Sequence, residues 1–444
     1  MAAACAVART VCRPPQTRTG ARPLLPNPSQ PSAATRVHPR FMSSFSPDLV
    51  ICGGGLSAKA CALALAQTGL RVTLLGARPV AALPADAYTL RVYAINAASR
   101  QLLDQLRVWP QIPAARVQPV RAMHIQADGA RLEFDAQQEQ VEALAWIVES
   151  DAIEAALDLA LGFERGVHRD AEHAVRLTRQ PGSAAGWDVH TADGRTLRAP
   201  LLVGADGEHS LVRRSAGIAT DTHDYVQRGL VTHFVCAAPA DGVAYQTFAD
   251  GGVIALLPLP PLQGQPMVSL VWSAPQPLAQ DLLSLSADAL ASRVQAYLPA
   301  LGATHLAPLQ PAGGVGSWPL QRQLARRLVA DGVALIGDAA HRVHPLAGQG
   351  LNLGLQDVQA LAHTLQQRRP GQAVNDPRLL RRYARARAEQ VLALATATDA
   401  LARLYAAHSL VPAPLRALGL RTTNALPAVK HLLSRYASGL PYLA

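Results

Sequence analysis

A glycine-rich turn between two apolar segments is the first group of residues whose types and spacing could bind a ligand. The turn runs from Gly53 to Ala58 with the pattern G-x-G-x-x-A, after a predicted buried strand at 47–52 and before a predicted helix at 57–68. In this arrangement the backbone N–H groups of the turn and the positive helix N-terminus face a pyrophosphate. Gly53, Gly55 and Ala58 are therefore candidate dinucleotide-binding residues, although such turns also arise by chance.

The residue that follows the second predicted strand departs from this pattern. A dinucleotide-binding unit usually carries an acidic residue there to hydrogen-bond the adenosine ribose, whereas the strand at 71–75 is followed by Gly76. Lys59, near the start of the helix, carries a charge that could approach the pyrophosphate and partly offset this loss. Weak cofactor binding, if it occurs, would originate at Gly76 and Lys59.

A second motif, Gly204-Ala205-Asp206-Gly207, follows the buried apolar segment 201–203 and precedes Ser210 and Arg213. The Asp206 carboxylate can order the chain beside a cofactor and the helix that follows. The alternative is an ordinary Asp-Gly turn.

A third motif runs from Gly337 through a loop rich in glycine and proline to Asn352. Asp338, at a strand end, can accept hydrogen bonds from the ribityl hydroxyl groups of a flavin. Glycines in the loop let the backbone approach a flat ring without a Cβ clash, and the following helix would direct its positive N-terminus at the pyrimidine edge of the flavin. The candidate cofactor-binding residues of this motif are Gly337, Asp338, Pro345, Gly348, Gly350, Leu351 and Asn352.

No side chain is assigned as catalytic, because a flavin would carry the chemistry, with Pro345 near its ring. His341 and His344 have no carboxylate or cysteine at metal-ligand spacing, and loop histidines beside cofactors are commonly structural. The five cysteines show neither metal spacing nor a disulfide framework and fit reduced thiols of the cytoplasm. The serines lack a nucleophile-elbow context, which disfavours a hydrolase.

These motifs need strands that bring them to one sheet edge. Buried strands are predicted at 48–52, 201–203 and 333–336, residues 228–274 have the pattern of longer antiparallel strands, and the chain from Leu351 is almost wholly helical in pattern. We therefore predict an α/β fold in which an α+β substrate domain with an antiparallel sheet interleaves with a Rossmann-like FAD-binding domain, followed by a C-terminal helical region. The predicted boundaries are 47–125, 145–222 and 325–370 for the FAD-binding domain, 126–144 and 223–324 for the substrate domain, and 371–444 for the helical region.

The bulk composition is that of a globular protein with a basic N-terminal extension. Of 444 residues 49% are hydrophobic, and no stretch approaches the roughly 18 apolar residues of a spanning helix. Part of the net charge of +10 comes from residues 1–46, which contain arginines but no acidic residue and are predicted to be disordered. We interpret this segment as an extension upstream of a start at Met42, with a mitochondrial transit peptide over 1–41 as the alternative. Nucleic-acid binding is not expected, because no aromatic platform accompanies the dispersed basic residues.

Together the three motifs resemble those of the class A flavoprotein monooxygenases, in the same order and over about residues 47–440. Within that class, Arg91–Asn96, Trp146–Glu149 and His344–Gly354 are similar to the ubiquinone-biosynthesis hydroxylases of the 2-polyprenylphenol hydroxylase type. The resemblance implies a p-hydroxybenzoate-hydroxylase-like fold with non-covalently held FAD.

The resemblance also implies residue roles and a reaction. Arg91 would contact the flavin or its phosphates, Asp206 would lie in a motif shared by cofactor binding and NAD(P)H use, Asp338 would bind the ribityl chain, and Pro345 to Asn352 would frame the isoalloxazine ring. FAD reduced by NAD(P)H or by a reduced protein would react with O₂ to give a flavin C4a-hydroperoxide. That species would hydroxylate the ring of a polyprenylated phenol in ubiquinone biosynthesis.

A polyprenylated substrate resides in a bilayer, so we expect a cytoplasmic protein in peripheral contact with the inner face of the membrane or with a ubiquinone-biosynthesis complex. One candidate surface consists of Arg378, Arg381, Arg382, Arg385 and Arg387 with the apolar stripe Val391, Leu394, Thr398, Leu401 and Leu404. The alternative is a solvated basic face above a helix that packs on the core.

Two other functions fit the same residues. One is a class A flavoenzyme that acts on a different aromatic substrate. The other, suggested by Gly76 and Lys59, is a non-catalytic accessory member of a quinone-biosynthesis complex. The arrangement of Asp338 with two loop glycines argues against the accessory role, because a scaffold needs no flavin site.

Overall fold

The structure is a computed structural model that describes residues 46–180, 186–344, 348–406 and 409–439. The predicted N-terminal extension, apart from Ser46, lies outside the described residues, and so does Pro345. The predicted fold class is confirmed, since parallel and antiparallel sheets interleave along the chain and helices complete it.

The strands in the first half of the chain alternate with three helices and supply parts of every sheet. They are β1 (Leu49–Cys52), β2 (Val72–Leu75), β3 (Val92–Ile95), β4 (Val117–Val120), β5 (Ala122–Ala127), β6 (Ala130–Asp135), β7 (Ala145–Glu149), β8 (Val167–Asp170), β9 (Ala174–Arg179), β10 (Trp187–Thr191), β11 (Thr196–Ala199) and β12 (Leu201–Gly204). The remaining strands are β13 (Thr220–Val235), β14 (Val243–Ala249), β15 (Gly252–Leu262), β16 (Gln265–Pro275), β17 (Gln310–Pro311), β18 (Gly316–Ala325), β19 (Val329–Ala330), β20 (Val333–Leu335) and β21 (His341–Arg342).

Helices connect the strands and form the last part of the chain. They are α1 (Leu56–Ala66), α2 (Ala97–Gln105), α3 (Ser150–Phe163), α4 (Leu211–Ser215), α5 (Gln276–Ser284), α6 (Ala287–Gln295), α7 (Leu298–Leu301), α8 (Gly350–Gln366), α9 (Pro377–Leu404), α10 (Ala413–Ala425) and α11 (Pro427–Ser438). Of the described helices, none is both long and apolar enough to cross a membrane.

The first sheet has the strand order β19-β20-β12-β1-β2-β8, and β20, β12, β1, β2 and β8 run parallel to one another. Strands β1, β2 and β12 are buried along their whole length, which explains why their sequences are continuously apolar rather than alternating. The carboxyl ends of parallel strands meet at one edge, so the loops after β1, β12 and β20 share that edge. Each of these loops carries one of the three motifs.

The largest sheet has the order β21-β18-β13-β16-β15-β14-β5-β6 and is antiparallel except between β14 and β5. Strand β5 enters it at Ala122, before the predicted boundary at 126. Tyr245, Leu256 and Trp272 lie in the core between this sheet and α5–α7. Leu257 points to the opposite face, as alternation along a strand requires.

Candidate functional site

The first and second motifs are in direct contact. Gly53 has φ +128°, and a Cβ at this position would lie 2.1 Å from the carbonyl oxygen of Ala205. The backbone N–H of Ala205 donates to the carbonyl of Cys52 over 2.8 Å. Only glycine fits at position 53, because the second motif occupies the space of any side chain there.

The third motif closes onto the other two. A Cβ at Gly354 would lie 2.6 Å from Oγ of Ser57 and 3.2 Å from Cα of Gly337. The buried Arg213 guanidinium donates to the carbonyl of Ala339 over 2.8 Å, which links the second motif to the third. The structure thus brings all three motifs, separated by up to three hundred residues in the sequence, to one place.

Asp206 uses both carboxylate oxygens inside its own loop. It accepts hydrogen bonds from the hydroxyl of Ser210 (2.5 Å) and from the backbone N–H groups of Leu211 (2.6 Å) and Val212 (3.1 Å). The carboxylate therefore caps α4 at its N-terminus. Its observed contacts order the loop, as the sequence suggested, and the role in NAD(P)H use stays a prediction.

Asp338 has surroundings that differ from those of Asp206. Its side chain is exposed, and it makes no hydrogen bond to any described residue. Neighbouring protein still desolvates the carboxylate and raises the pKa of Asp338, while the charges of His341 and Arg91 lower it in part. Arg91 lies close enough to act on this carboxylate and packs on the ring of Trp318, 5.2 Å from its centroid. An exposed carboxylate without a donor among the described residues is free to accept hydrogen bonds from a ligand that brings hydroxyl groups.

The loop before α8 is held against strand β3 and helix α2. Asn352 is buried, its side-chain amide donates to the carbonyl of Ala94 (2.8 Å), and its Oδ1 accepts from the backbone N–H of Asn96 (3.0 Å). Gly348 has φ +59°, and a Cβ there would contact Cβ of Ala94 at 3.6 Å. The segments that carry the subgroup resemblance are thereby adjacent, since β3 also pairs with β7.

Two of the candidate glycines border open space. Apart from the adjacent chain, no described atom lies within 4 Å of the position that a Cβ would take at Gly55 or at Gly350. Gly55 caps α1, and Gly350 is the first residue of α8, one residue before the predicted start at Leu351. Helix N-termini that face open space can receive phosphate or another electron-rich group. Ala58 is buried inside α1.

A buried charge cluster that the sequence did not reveal supports the third motif. Asp357 of α8 is fully buried, and its Oδ2 accepts from Nε2 of His341 (2.5 Å) and from the backbone N–H of Gly337 (2.9 Å). Its Oδ1 accepts from Nε of Arg387 over 2.7 Å. Burial alone would raise the pKa of Asp357, but His341 and Arg387 hold it below its ordinary value. The detectable signal was an acidic residue on the apolar face of a predicted helix, which needs a partner.

His344 connects the loop to the substrate sheet. Its Nε2 donates to the side-chain oxygen of Gln227 (3.1 Å), and its ring meets Tyr225 edge-on at 4.6 Å. The Tyr225 hydroxyl in turn donates to Asp399 of α9 (3.1 Å). Burial lowers the pKa of His344 to about 4, so this ring is neutral at physiological pH. These contacts agree with the structural interpretation of His344.

The expectation that Lys59 approaches the pyrophosphate was wrong. Its ammonium group is buried and donates to Glu154 (2.8 Å) and Asp158 (2.9 Å) of α3 and to the carbonyl of Arg78 (3.1 Å). Two carboxylates already compensate its charge, so it joins α1 to α3. Gly76 has φ +81°, which a glutamate would adopt only under strain.

The basic surface predicted on α9 is corrected at one residue, because Arg387 is buried against Asp357. Four of its arginines do line an open groove of about 810 Å³ between α9 and the segment after β18. Its basic lining consists of Arg326, Arg327, Arg378, Arg381, Arg382 and Arg385. Val391 and Leu394 pack toward a small core, as the alternative interpretation held.

Comparison with known proteins gives the family. A family model described as FAD binding domain matches residues 47–398. The ubiquinone hydroxylase UbiL of Rhodospirillum rubrum is 35% identical over 395 residues, which cover 88% of this chain and 89% of that protein. The 3-demethoxyubiquinol 3-hydroxylase of Escherichia coli is 33% identical over 90% of this chain and 100% of its own. The human mitochondrial ubiquinone biosynthesis monooxygenase COQ6 is 32% identical over 88% of this chain and 92% of its own.

The chain belongs to the FAD-dependent monooxygenases of the ubiquinone-biosynthesis hydroxylase group. Two solved structures show the same fold. PqsL of Pseudomonas aeruginosa, described as a probable FAD-dependent monooxygenase, has a TM-score of 0.69 at 24% identity, covering 85% of this chain and 100% of its own. The p-nitrophenol 4-monooxygenase PnpA of Pseudomonas putida has a TM-score of 0.67 at 17% identity, and the alignment covers 88% of this chain and 98% of that protein. The match to the FAD-binding family model identifies FAD as the cofactor of the present protein.

Proposed function

We propose that this monooxygenase hydroxylates the aromatic ring of a polyprenylated phenol in ubiquinone biosynthesis, with FAD held where the three motifs meet. The observation that carries the proposal is the exposed Asp338 carboxylate, which has no hydrogen-bond donor among the described residues, at the meeting point of these motifs. Relatives that cover most of the chain are named for ubiquinone biosynthesis, which directs the proposal to that class of substrate.

The proposed cofactor contacts follow the edge of the parallel sheet. The backbone at the N-terminus of α1 would hold the pyrophosphate, Asp338 would accept hydrogen bonds from the ribityl hydroxyls, and the N-terminus of α8 would stabilise negative charge on the ring. The residues assigned to the site are Gly53, Gly55, Ala58, Arg91, Asp206, Gly337, Asp338, Pro345, Gly348, Gly350, Leu351 and Asn352. The predicted domain boundaries are proposed with it; strand β5, which begins at Ala122, spans the predicted boundary between 125 and 126.

When bound, FAD supplies electron transfer from NAD(P)H or a reduced protein to O₂, with one oxygen atom inserted into the ring and the other released as water. The chain itself has to position the ring and keep water away. An apolar cluster beside the cofactor loop fits this task. It contains Ala94, which contacts Asn352 and Gly348, together with Leu257, Leu259 and Met267 of the large sheet.

The test measures substrate-dependent oxygen consumption and incorporation of labelled oxygen. The purified protein, loaded with FAD, is given short-chain prenylated phenols or soluble aromatic acids in detergent with NADPH, NADH or a reduced ferredoxin-type protein. We expect a prenylated phenol to gain one atom from labelled O₂. A higher kcat/KM for a soluble acid would transfer the assignment to another aromatic substrate.

The same material tests the accessory role. An absorbance spectrum between about 300 and 550 nm shows two flavin bands if FAD binds. Failure to retain or rebind FAD, with intact association to other quinone-biosynthesis proteins, would favour the accessory role over the proposed function. The buried ion pairs of Lys59 remove one of the two reasons for it, since this charge is not displaced from a cofactor site.

A further inference from the structure

The two C-terminal helices concentrate exposed apolar side chains. Eight of the eighteen exposed large hydrophobic side chains in the described part of the chain lie between 410 and 436. Leu410 is 98% exposed, and Leu415 and Leu418, on one face of α10, are each 59% exposed. The others are Val411, Leu426, Leu432, Leu433 and Tyr436. A concentration of exposed apolar side chains of this kind is typical of a site of interaction.

Helices α10 and α11 form a helical hairpin, and the side of this hairpin that faces the protein is polar. Arg416 forms a two-point ion pair with Asp128 (2.7 and 2.9 Å), in the turn between β5 and β6. Asn424 accepts from the backbone N–H of Glu133 over 3.1 Å. The hairpin thus holds to the protein largely by polar contacts and turns its leucines outward, which reverses the usual orientation of a surface helix.

The charge of this part of the chain indicates what covers the leucines. After Asp399 the sequence contains Arg403, Arg416, Arg421, Lys430 and Arg435 and no acidic residue. Arg403 and Arg416 are paired with Asp399 and Asp128, so Arg421 and Lys430 contribute to the surplus positive charge of this segment. Helices that combine outward leucines with basic residues and lack acidic ones bind at the surface of bilayers that contain anionic lipid.

The end of the hairpin reaches the candidate flavin site. The side-chain amide of Asn96 donates to the carbonyl of Ala437 in α11 over 3.1 Å. The backbone N–H of the same Asn96 donates to Asn352 of the cofactor loop. Asn96 therefore contacts both the hairpin and the loop proposed to frame the ring.

We propose that the outer face of α10 and α11 is a membrane-contact surface, which inserts its leucines into the interface of a bilayer containing anionic lipid and brings the cofactor loop close to that bilayer. Insertion is shallow, because the helices lie on the protein and are too short to span. The benefit for delivery of a lipid-soluble phenol rests on the proposed function, whereas the binding itself does not.

The experiment uses the full-length FAD-loaded protein and vesicle flotation, with phosphatidylcholine vesicles and with vesicles that also contain phosphatidylglycerol or cardiolipin. We expect stronger partition to the anionic vesicles, weakened by salt. The variant L415Q/L418Q/L432Q/L433Q should lower the partition coefficient at least tenfold at unchanged flavin content. The matched control L159Q/F163Q removes two exposed apolar side chains of α3 and should leave partition unchanged.

Three outcomes would overturn the proposal. Partition of the quadruple variant could equal that of the unaltered protein. Partition could be lost only in R381E/R385E, which would assign membrane contact to the arginine groove of α9. Vesicle binding could be absent while sedimentation shows a dimer that the leucine substitutions dissociate, which would assign the face to a second copy. The vesicles contain no phenol, so a failure of the proposed function would appear separately, as missing turnover in detergent.

Discussion

At the scale of single residues, Asp338 lies in surroundings that the described protein atoms do not complete. A buried carboxylate normally finds donors in the protein, as Asp357 does. Asp338 is exposed and has no donor among the described residues, and desolvation raises its pKa. A ligand bound at the meeting point of the motifs can therefore supply the donors.

Asp338→Ala should raise the Kd of FAD at least about tenfold, because a hydrogen bond to a charged acceptor contributes about 1.5–3 kcal/mol. The measurement is a fluorescence titration of apoprotein with FAD. Asp331→Ala, at an exposed ion pair with Arg179, is the matched control and should bind FAD normally. An Asp338→Ala protein that purifies with full flavin would remove this residue from the site.

Gly76→Glu, which restores the acidic residue usual at this position, should not strengthen FAD binding. The positive φ would cost a glutamate about 1–2 kcal/mol of folding free energy. Urea unfolding and the FAD titration measure both effects. Gly162→Glu, in α3 with open space around its Cβ, is the control for the added charge. Tighter FAD binding at unchanged stability would show that the backbone accepts the carboxylate.

The sequence predicted the residues whose roles depend on local chain geometry. The turns at Gly53 and Gly337 follow buried strands, and both signals lie within a few neighbouring residues. The partners of Lys59 and Asp357 could not be predicted in the same way. Glu154 lies 95 residues from Lys59, and Arg387 lies 30 residues from Asp357, so only tertiary packing brings these charges together.

At the scale of elements, α1 is held to α3 by Lys59. Lys59→Met should lower the free energy of unfolding by about 1–3 kcal/mol, because it leaves Glu154 and Asp158 without their cation. The Kd of FAD should change by less than about twofold from that of the unaltered protein, because the Lys59 ammonium group pairs with Glu154 and Asp158 and not with the pyrophosphate. A double-mutant cycle with E154Q/D158N isolates the coupling. Weaker FAD binding at an unchanged free energy of unfolding would instead indicate that Lys59 contacts the pyrophosphate of FAD.

A buried ion pair between Arg387 and Asp357 helps to join helix α9 to α8. Arg387→Met should destabilise the protein by about 3–5 kcal/mol, because Asp357 would lose its guanidinium partner inside the core. Arg385→Met, two residues earlier and exposed in the groove, should change the free energy by less than about 0.5 kcal/mol. Equal urea midpoints for the two variants would contradict the structural role of the pair.

At the scale of the whole molecule, the substrate sheet and the parallel sheet are interleaved rather than appended. Strand β13 leaves the second motif loop region and runs through the centre of the large sheet, and β18 and β21 return the chain to the third motif. Calorimetry should therefore show one cooperative transition. FAD at about one hundred times its Kd should stabilise the whole protein by about 2.7 kcal/mol. Two separate transitions, with only one moved by FAD, would contradict this coupling.

The order of β1, β12 and β20 along the chain has a consequence for synthesis on the ribosome. The three loops of the flavin site leave the exit tunnel far apart in time, the first after Cys52 and the last after Leu335. The strand that completes the parallel sheet arrives only after the whole substrate sheet except β21 has been made. A nascent chain therefore keeps an unfinished parallel sheet for most of its synthesis, and FAD can be captured only after more than three hundred residues of the monooxygenase have emerged.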